Sequence, residues 1–169
     1  MKVITKKYKV YDFKELTKEV KEDVINKWYE HEHYPFMEND LTESLKALLA
    51  QHKIHIRHDF KLHYSLSCSQ GDGACFVGSF KWKKYYVDII HNSHYYHERS
   101  TDISLLTKYG NEVKYQSQDK FKKLYYSICR KIEKEGYRVI EYRMSFDEFQ
   151  EHCEANEYNF LKDGKMVNY

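Results

Sequence analysis

From Ile54 onward, apolar residues occupy every second position: Ile54, Ile56, Phe60, Leu62, Tyr64, Leu66 and Cys68, with His58 as the single break. A period of two is that of an extended strand with one buried face and one wet face. The run stops at Ser69-Gln70-Gly71-Asp72-Gly73, which holds no apolar side chain, and resumes with Ala74, Phe76, Gly78, Phe80 and Trp82. Two alternating runs around a short Gly/Asp segment predict a β-hairpin with a three- to five-residue loop, set at the centre of a sheet. Tyr85, Val87, Ile89 and His91 alternate with Tyr86, Asp88 and Ile90 and predict a third strand. Residues 100–107 predict a fourth, with a turn near Tyr109-Gly110-Asn111.

Elsewhere the apolar period lengthens to that of a helix. Asp12 and Glu15 have capping-box spacing, and Phe13, Leu16, Val20, Val24 and Trp28 continue as one amphipathic stripe to about Glu30. After a connector holding Pro35, Asp40 and Glu43 repeat the capping signature. Leu41, Leu45, Leu48 and Leu49 carry a second helix to near Gln51. A third helix runs from Gln118 through Phe121, Leu124, Tyr125, Ile128 and Ile132, with Gly136 as its candidate terminator. Residues 137–144 fit either more helix or a strand. Ser145 and Glu148 open a short fourth helix to about Asn156. Residues 2–10 read as a lysine-guarded edge strand, and Asp163-Gly164 signals a type I′ hairpin in the tail.

The order β-αα-ββββ-αα-ββ does not alternate as βαβ units do. The fold class it predicts is α+β: a mostly antiparallel sheet of about four to six strands with helices packed on one face. One proline and six glycines leave no linker, so a single domain over residues 1–169 is expected.

Composition narrows the function classes. Lys plus Arg is 28 and Asp plus Glu is 26, a net charge of +2. That balance argues against an acidic nucleic-acid mimic and against a strongly basic nucleic-acid binder. Tyrosine is in surplus, at 17 with 9 Phe and 2 Trp, and tyrosine favours recognition surfaces. Cys68, Cys75, Cys129 and Cys153 form no CxxC pair. No signal peptide and no apolar run of membrane-spanning length is evident, so a cytoplasmic protein with free, mostly buried thiols is expected, with no membrane partner.

Four stretches could carry chemistry. The Gln70-Gly71-Asp72-Gly73 turn could form an anion nest, or its glycines could simply supply positive φ. His91, His94 and His97 are spaced by three beside Glu98. His94, His97 and Glu98, with Asp72, could ligate a metal, or His94 or His97 could act as a general base, if the two loops meet. The strand parity puts both loops at one end of the sheet. Cys68 and Cys75 flank the turn but make an incomplete zinc site, and no resident metal or cofactor is expected. Lys81, Lys83 and Lys84 interleave with aromatics, as single-strand nucleic-acid surfaces do, or are solvated lysines at a hairpin turn.

The stretch Ser67-Cys68-Ser69-Gln70-Gly71-Asp72-Gly73-Ala74-Cys75-Phe76 resembles a group of small proteins encoded by phages and other mobile elements, some labelled "antitoxin of toxin–antitoxin stability system". Phe13-Lys14-Glu15-Leu16, His94-Tyr95-Tyr96-His97-Glu98, Glu154 to Phe160 and Asp163-Gly164 are similar to that group too. The resemblance implies a phage-type origin, and it carries over no catalytic residue. With the near-neutral charge and the tyrosine surplus, the expectation is a non-enzymatic host-interaction protein, an anti-CRISPR or other anti-defence inhibitor. Its partner would be a host protein such as a CRISPR effector or another defence complex, met through Gln70, Asp72, His94, Tyr95, Tyr96, His97 and Glu98. The alternatives are an enzyme acting on nucleic acid or a nucleotide through Asp72, His94, His97 and Glu98, or a nucleic-acid-binding accessory using Lys81, Lys83 and Lys84.

Overall fold

The computed structural model describes residues 7–31, 36–113 and 115–167. In chain order its elements are a 3-10 turn at Phe13–Glu15, α1 (Lys18–His31), α2 (Met37–Gln51), β1 (Ile54–Ser65), β2 (Gly73–Trp82), β3 (Tyr85–His91), β4 (Thr101–Leu106), α3 (Tyr115–Arg143), α4 (Phe146–Ala155), β5 (Asn159–Phe160) and β6 (Met166–Val167). The fold is α+β, with a four-stranded and a two-stranded antiparallel sheet. Contacts divide the chain into two compact units, Pro35–Arg138 and Met1–Tyr34 with Val139–Tyr169. The strand expected over residues 2–10 lies largely outside the described residues, as does the connector around Pro35; residues 7–10 take no regular structure.

In the first unit the strand order is β1-β2-β3-β4. The long hairpin therefore does not sit at the centre of the sheet: β1 is an edge, and β2 and β3 are the inner strands. Ile54 pairs with Trp82 and Ile56 with Phe80, then the register shifts on both sides of His58 before Leu62 meets Phe76. Asp59 takes φ 54° there. The one break in the alternation thus falls between two one-residue register shifts, which together leave Leu62 on the buried face opposite Phe76. Phe76, Phe80, Trp82, Val87, Ile89, Ile103 and Leu105 are buried on that face. Helix α3 lies over it, with Tyr125 against Phe76 (ring centroids 4.6 Å apart) and Phe121 against Trp82 (5.2 Å). Burying each such ring contributes about 1.5–3 kcal/mol.

Where β3 stops pairing with β2, beyond Gly78 and Ile89, a side chain takes over the ladder. The buried Tyr125 hydroxyl donates to the Phe76 carbonyl at 3.0 Å and accepts from the Phe76 N–H at 3.2 Å. Both backbone groups are therefore satisfied on the side that β3 has left.

Helix α2 begins at Met37, three residues before the expected Asp40, because Met37 is buried in one stripe with Leu41, Leu45 and Leu49. Glu38 and Asp40 instead occupy the first turn, where carboxylates suit the helix dipole. Helix α3 does not stop at Gly136. It runs 29 residues, settling 137–143 as helix. A Cβ on Gly136 would lie 2.3 Å from Leu66 Cδ1 and 3.4 Å from Leu41 Cδ1, so this glycine makes room for packing rather than ending the helix.

In the second unit, Phe13, Leu16, Val24, Ile25, Phe149, Cys153 and Phe160 form one core. The Asp12 capping box is present, with the Asp12 N–H donating to Glu15 Oε2 at 2.9 Å, but it caps only a 3-10 turn. Leu16 is extended (ψ 153°) and α1 starts afresh, its first bond running from Lys21 N–H to the Thr17 carbonyl at 2.9 Å. Threonine is a good N-cap, so one apolar stripe is split between two elements. Ser145 caps α4 as expected, its Oγ accepting from Glu148 N–H at 3.3 Å. The tail hairpin forms too, but not as type I′. Gly164 alone takes positive φ (83°) and its N–H bonds the Leu161 carbonyl at 2.9 Å, as in a type I turn closed by a glycine bulge.

Candidate functional site

The loop between β1 and β2 and the loop between β3 and β4 emerge at one end of the four-stranded sheet and dock on each other. Tyr96 N–H donates to the Gly71 carbonyl at 3.1 Å. The Tyr95 ring covers Gly71 so closely that a Cβ there would sit 2.0 Å from Tyr95 Cδ1. A Cβ on Gly73 would meet His97 Cα at 2.7 Å. Gly71 (φ 97°) and Gly73 (φ 147°) also occupy backbone regions that glycine alone visits easily. Both glycines thus serve loop docking as well as the turn.

The first loop is longer than expected: β1 ends at Ser65, not Cys68. The cause is Asp72. Its Oδ1 accepts from Ser65 Oγ (2.6 Å), Ser69 Oγ (3.0 Å) and Ser67 Oγ (3.1 Å), and its Oδ2 from Ser69 N–H (2.9 Å) and Tyr137 OH (3.2 Å). Burial opposes ionisation, but the bonds from Ser65, Ser69 and Ser67 outweigh it and hold the carboxyl well below the usual carboxylate range. Asp72 therefore organises its own loop and ties it to α3, and its oxygens are committed inward. No phosphate cradle is needed to explain these glycines.

The second loop is anchored by Glu98, 9% exposed. Arg130 donates to its Oε1 from Nη2 (2.8 Å) and Nε (3.0 Å). Glu133, one turn along α3, is pushed up by burial and then by the Glu98 carboxylate, against the pull of Arg130. His97 Nδ1 lies 3.3 Å from both Arg99 N–H and Ser100 Oγ. His63, His91 and Tyr96 place three nearly parallel rings together, centroids 5.1 Å (His63–His91), 5.7 Å (His91–Tyr96) and 6.1 Å (His63–Tyr96) apart. Partial burial, then Lys61 and His91, lower the His63 pKa, which favours its neutral form.

The seven expected surface residues thus come together but divide by role. Gln70, His94, Tyr95 and Tyr96 are exposed, whereas Asp72, His97 and Glu98 point their polar atoms into the loops. Among the described residues, no three His, Cys, Asp or Glu side chains are arranged to hold a metal ion. Asp72, His97 and Glu98 each serve different structural partners. The cysteines are free; Cys68 is exposed, and burial pushes Cys75 and Cys153 up to about 12 and Cys129 well above its ordinary value. Protonated thiols at those positions are packing groups.

Lys81, Lys83 and Lys84 lie at the opposite end of the hairpin. Lys83 Nζ sits 4.4 Å from the Trp82 ring and Lys84 Nζ 5.6 Å from Tyr85. Trp82 is 6% exposed, so its ring faces the core rather than a base to be stacked.

Sequence reasoning missed Tyr137, Arg130 and the serines. Ser65, Ser67 and Ser69 recur at every second residue before Asp72, a signal present in the chain. Arg130 and Tyr137 share a helix face seven residues apart, but that face exists only once α3 passes Gly136. The chain matches no protein-family model, no curated protein and no solved structure. Among the described residues no helix is long and apolar enough to cross a membrane.

Proposed function

We propose that this chain is a binding protein, not an enzyme, and that its contact surface is the joint face of the two docked loops. The observation that carries this reading is the Tyr96–Gly71 backbone bond with the glycine packing around it. It fixes Gln70, His94, Tyr95 and Tyr96 as one exposed patch before any partner arrives. Pre-ordered tyrosines bind at low entropic cost, and tyrosine is one of the residue types enriched at the hot spots of interfaces. Of the side chains that could do acid–base work, Asp72, His97 and Glu98 are committed to structural partners and only His94 is exposed, which supports binding over catalysis.

For the partner we propose a host protein. Net charge near neutrality favours a protein surface over a nucleic-acid backbone. The resemblance of the Ser67–Phe76 words to phage and mobile-element proteins suggests a CRISPR effector or another defence complex, with the chain as its inhibitor. The test is tagged purification from a bacterial host, run with the wild type and with Gln70→Ala/Tyr96→Ala in parallel. A protein recovered stoichiometrically with the wild type and lost with the variant supports the reading. Equal recovery with both, or none with either, overturns it.

A further inference from the structure

Helices α2 and α3 leave a second recognition feature in the same unit, on a different stripe of α3 from the loops. Arg130, Glu133 and Tyr137 serve the loop side, whereas Lys131, Lys134, Glu135 and Arg138 line an open groove of about 830 Å³. Its other wall is Ser44, Ala47, Leu48 and Gln51 of α2. Both walls repeat at i, i+3 and i+7, so the trough follows two helical turns on each side. That is the shape that receives a third helix, in the helix-in-groove mode of peptide recognition. Leu48, Ala47 and Ile132 supply an apolar floor, and Ala47 is exposed.

The rim is charged on one side only. Arg138 Nη2 pairs with Glu135 Oε1 at 2.7 Å. Among the described residues no carboxylate lies within ion-pair distance of Lys131 or Lys134. With the Glu135 carboxylate engaged by Arg138, Lys131 and Lys134 leave the α3 rim net positive beside an apolar floor, while the α2 rim offers the neutral Ser44 and Gln51.

From this asymmetry we propose that the α2–α3 groove docks an amphipathic helix of a partner protein, apolar along its buried stripe and acidic along the flank that faces α3. Electrostatic complementarity sets the orientation of such a helix as well as its preference. The surface is independent of the loop face and needs neither Tyr96 nor Gln70.

The probe is a displayed library of 18-residue helices with a fixed leucine stripe and with both flanks randomised among Glu, Gln, Lys and Ser, selected on the full chain. Enrichment of Glu on one flank, and at least tenfold weaker binding of the selected peptide to Lys131→Glu/Lys134→Glu and to Ala47→Glu, are expected. Circular dichroism of both variants checks that they fold; Gln70→Ala/Tyr96→Ala should bind the peptide as the wild type does. Enrichment no greater than for a scrambled stripe overturns the proposal. So does enrichment of Lys, undiminished binding by the folded variants, or a concentration-dependent dimer of the chain that Ala47→Glu dissolves.

Discussion

Tyr96 donates its backbone N–H to the carbonyl of Gly71, 3.1 Å away, and so joins two loops separated by two strands of sheet. The bond is possible only because Gly71 has no side chain where Tyr95 lies. Gly73 is under the tighter constraint, since its obstacle is the backbone of His97 and cannot swing aside. Gly73→Ala should therefore cost about 1–3 kcal/mol or more. Gly136→Ala should stay within about 1 kcal/mol of wild type, because the obstructing Leu66 methyl can move and alanine gains about 1 kcal/mol of helix propensity. Urea denaturation of the two variants measures the contrast; equal costs would contradict the docking geometry.

Asp72 gives the loop a pH signature. Its folded value is depressed below the ordinary aspartate value of about 3.9, so the stabilisation it provides is complete above that value. It is lost as pH falls through the folded value. The Ser69 amide, bonded to Oδ2 at 2.9 Å, should report a titration midpoint well below 3.9 by NMR. In Asp72→Asn that transition should vanish and the loop should be about 1–2 kcal/mol less stable at neutral pH. A midpoint near 4 would contradict the hydrogen-bond count.

Tyr125 makes a prediction about the core. Tyr125→Phe keeps the ring against Phe76 but removes the hydroxyl from the Phe76 N–H and carbonyl; the Cys129 thiol still faces the N–H, so the buried carbonyl is the group left unmet. An unmet buried carbonyl costs about 1–3 kcal/mol, so a loss of that size by denaturant unfolding is expected. A loss under about 0.5 kcal/mol would mean that the hydroxyl does not replace a strand.

Much of this was legible in the chain. The alternation from Ile54 to Trp82 specified the hairpin, but not the register shifts on both sides of His58, because two one-residue insertions together leave a period of two in phase. Strand parity placed the two loops at one end. What could not be read depends on distant contacts. Gly136 resembles a terminator until Leu66 and Leu41 are packed against it. Asp72 resembles an exposed turn residue until three serines and Tyr137 converge on it. The Lys81–Tyr86 run resembles a stacking surface until Trp82 turns inward.

The central claim is that the docked loops form a binding face, and affinity for the co-purified partner tests it most directly. The dissociation constant should be measured for wild type, for Gln70→Ala/His94→Ala/Tyr96→Ala, and for Lys83→Ala/Lys84→Ala at the far end of the hairpin. The account predicts at least tenfold weaker binding, about 1.4 kcal/mol, for the loop variant alone. An unchanged constant for that variant, or an equal loss in the lysine variant, would contradict it.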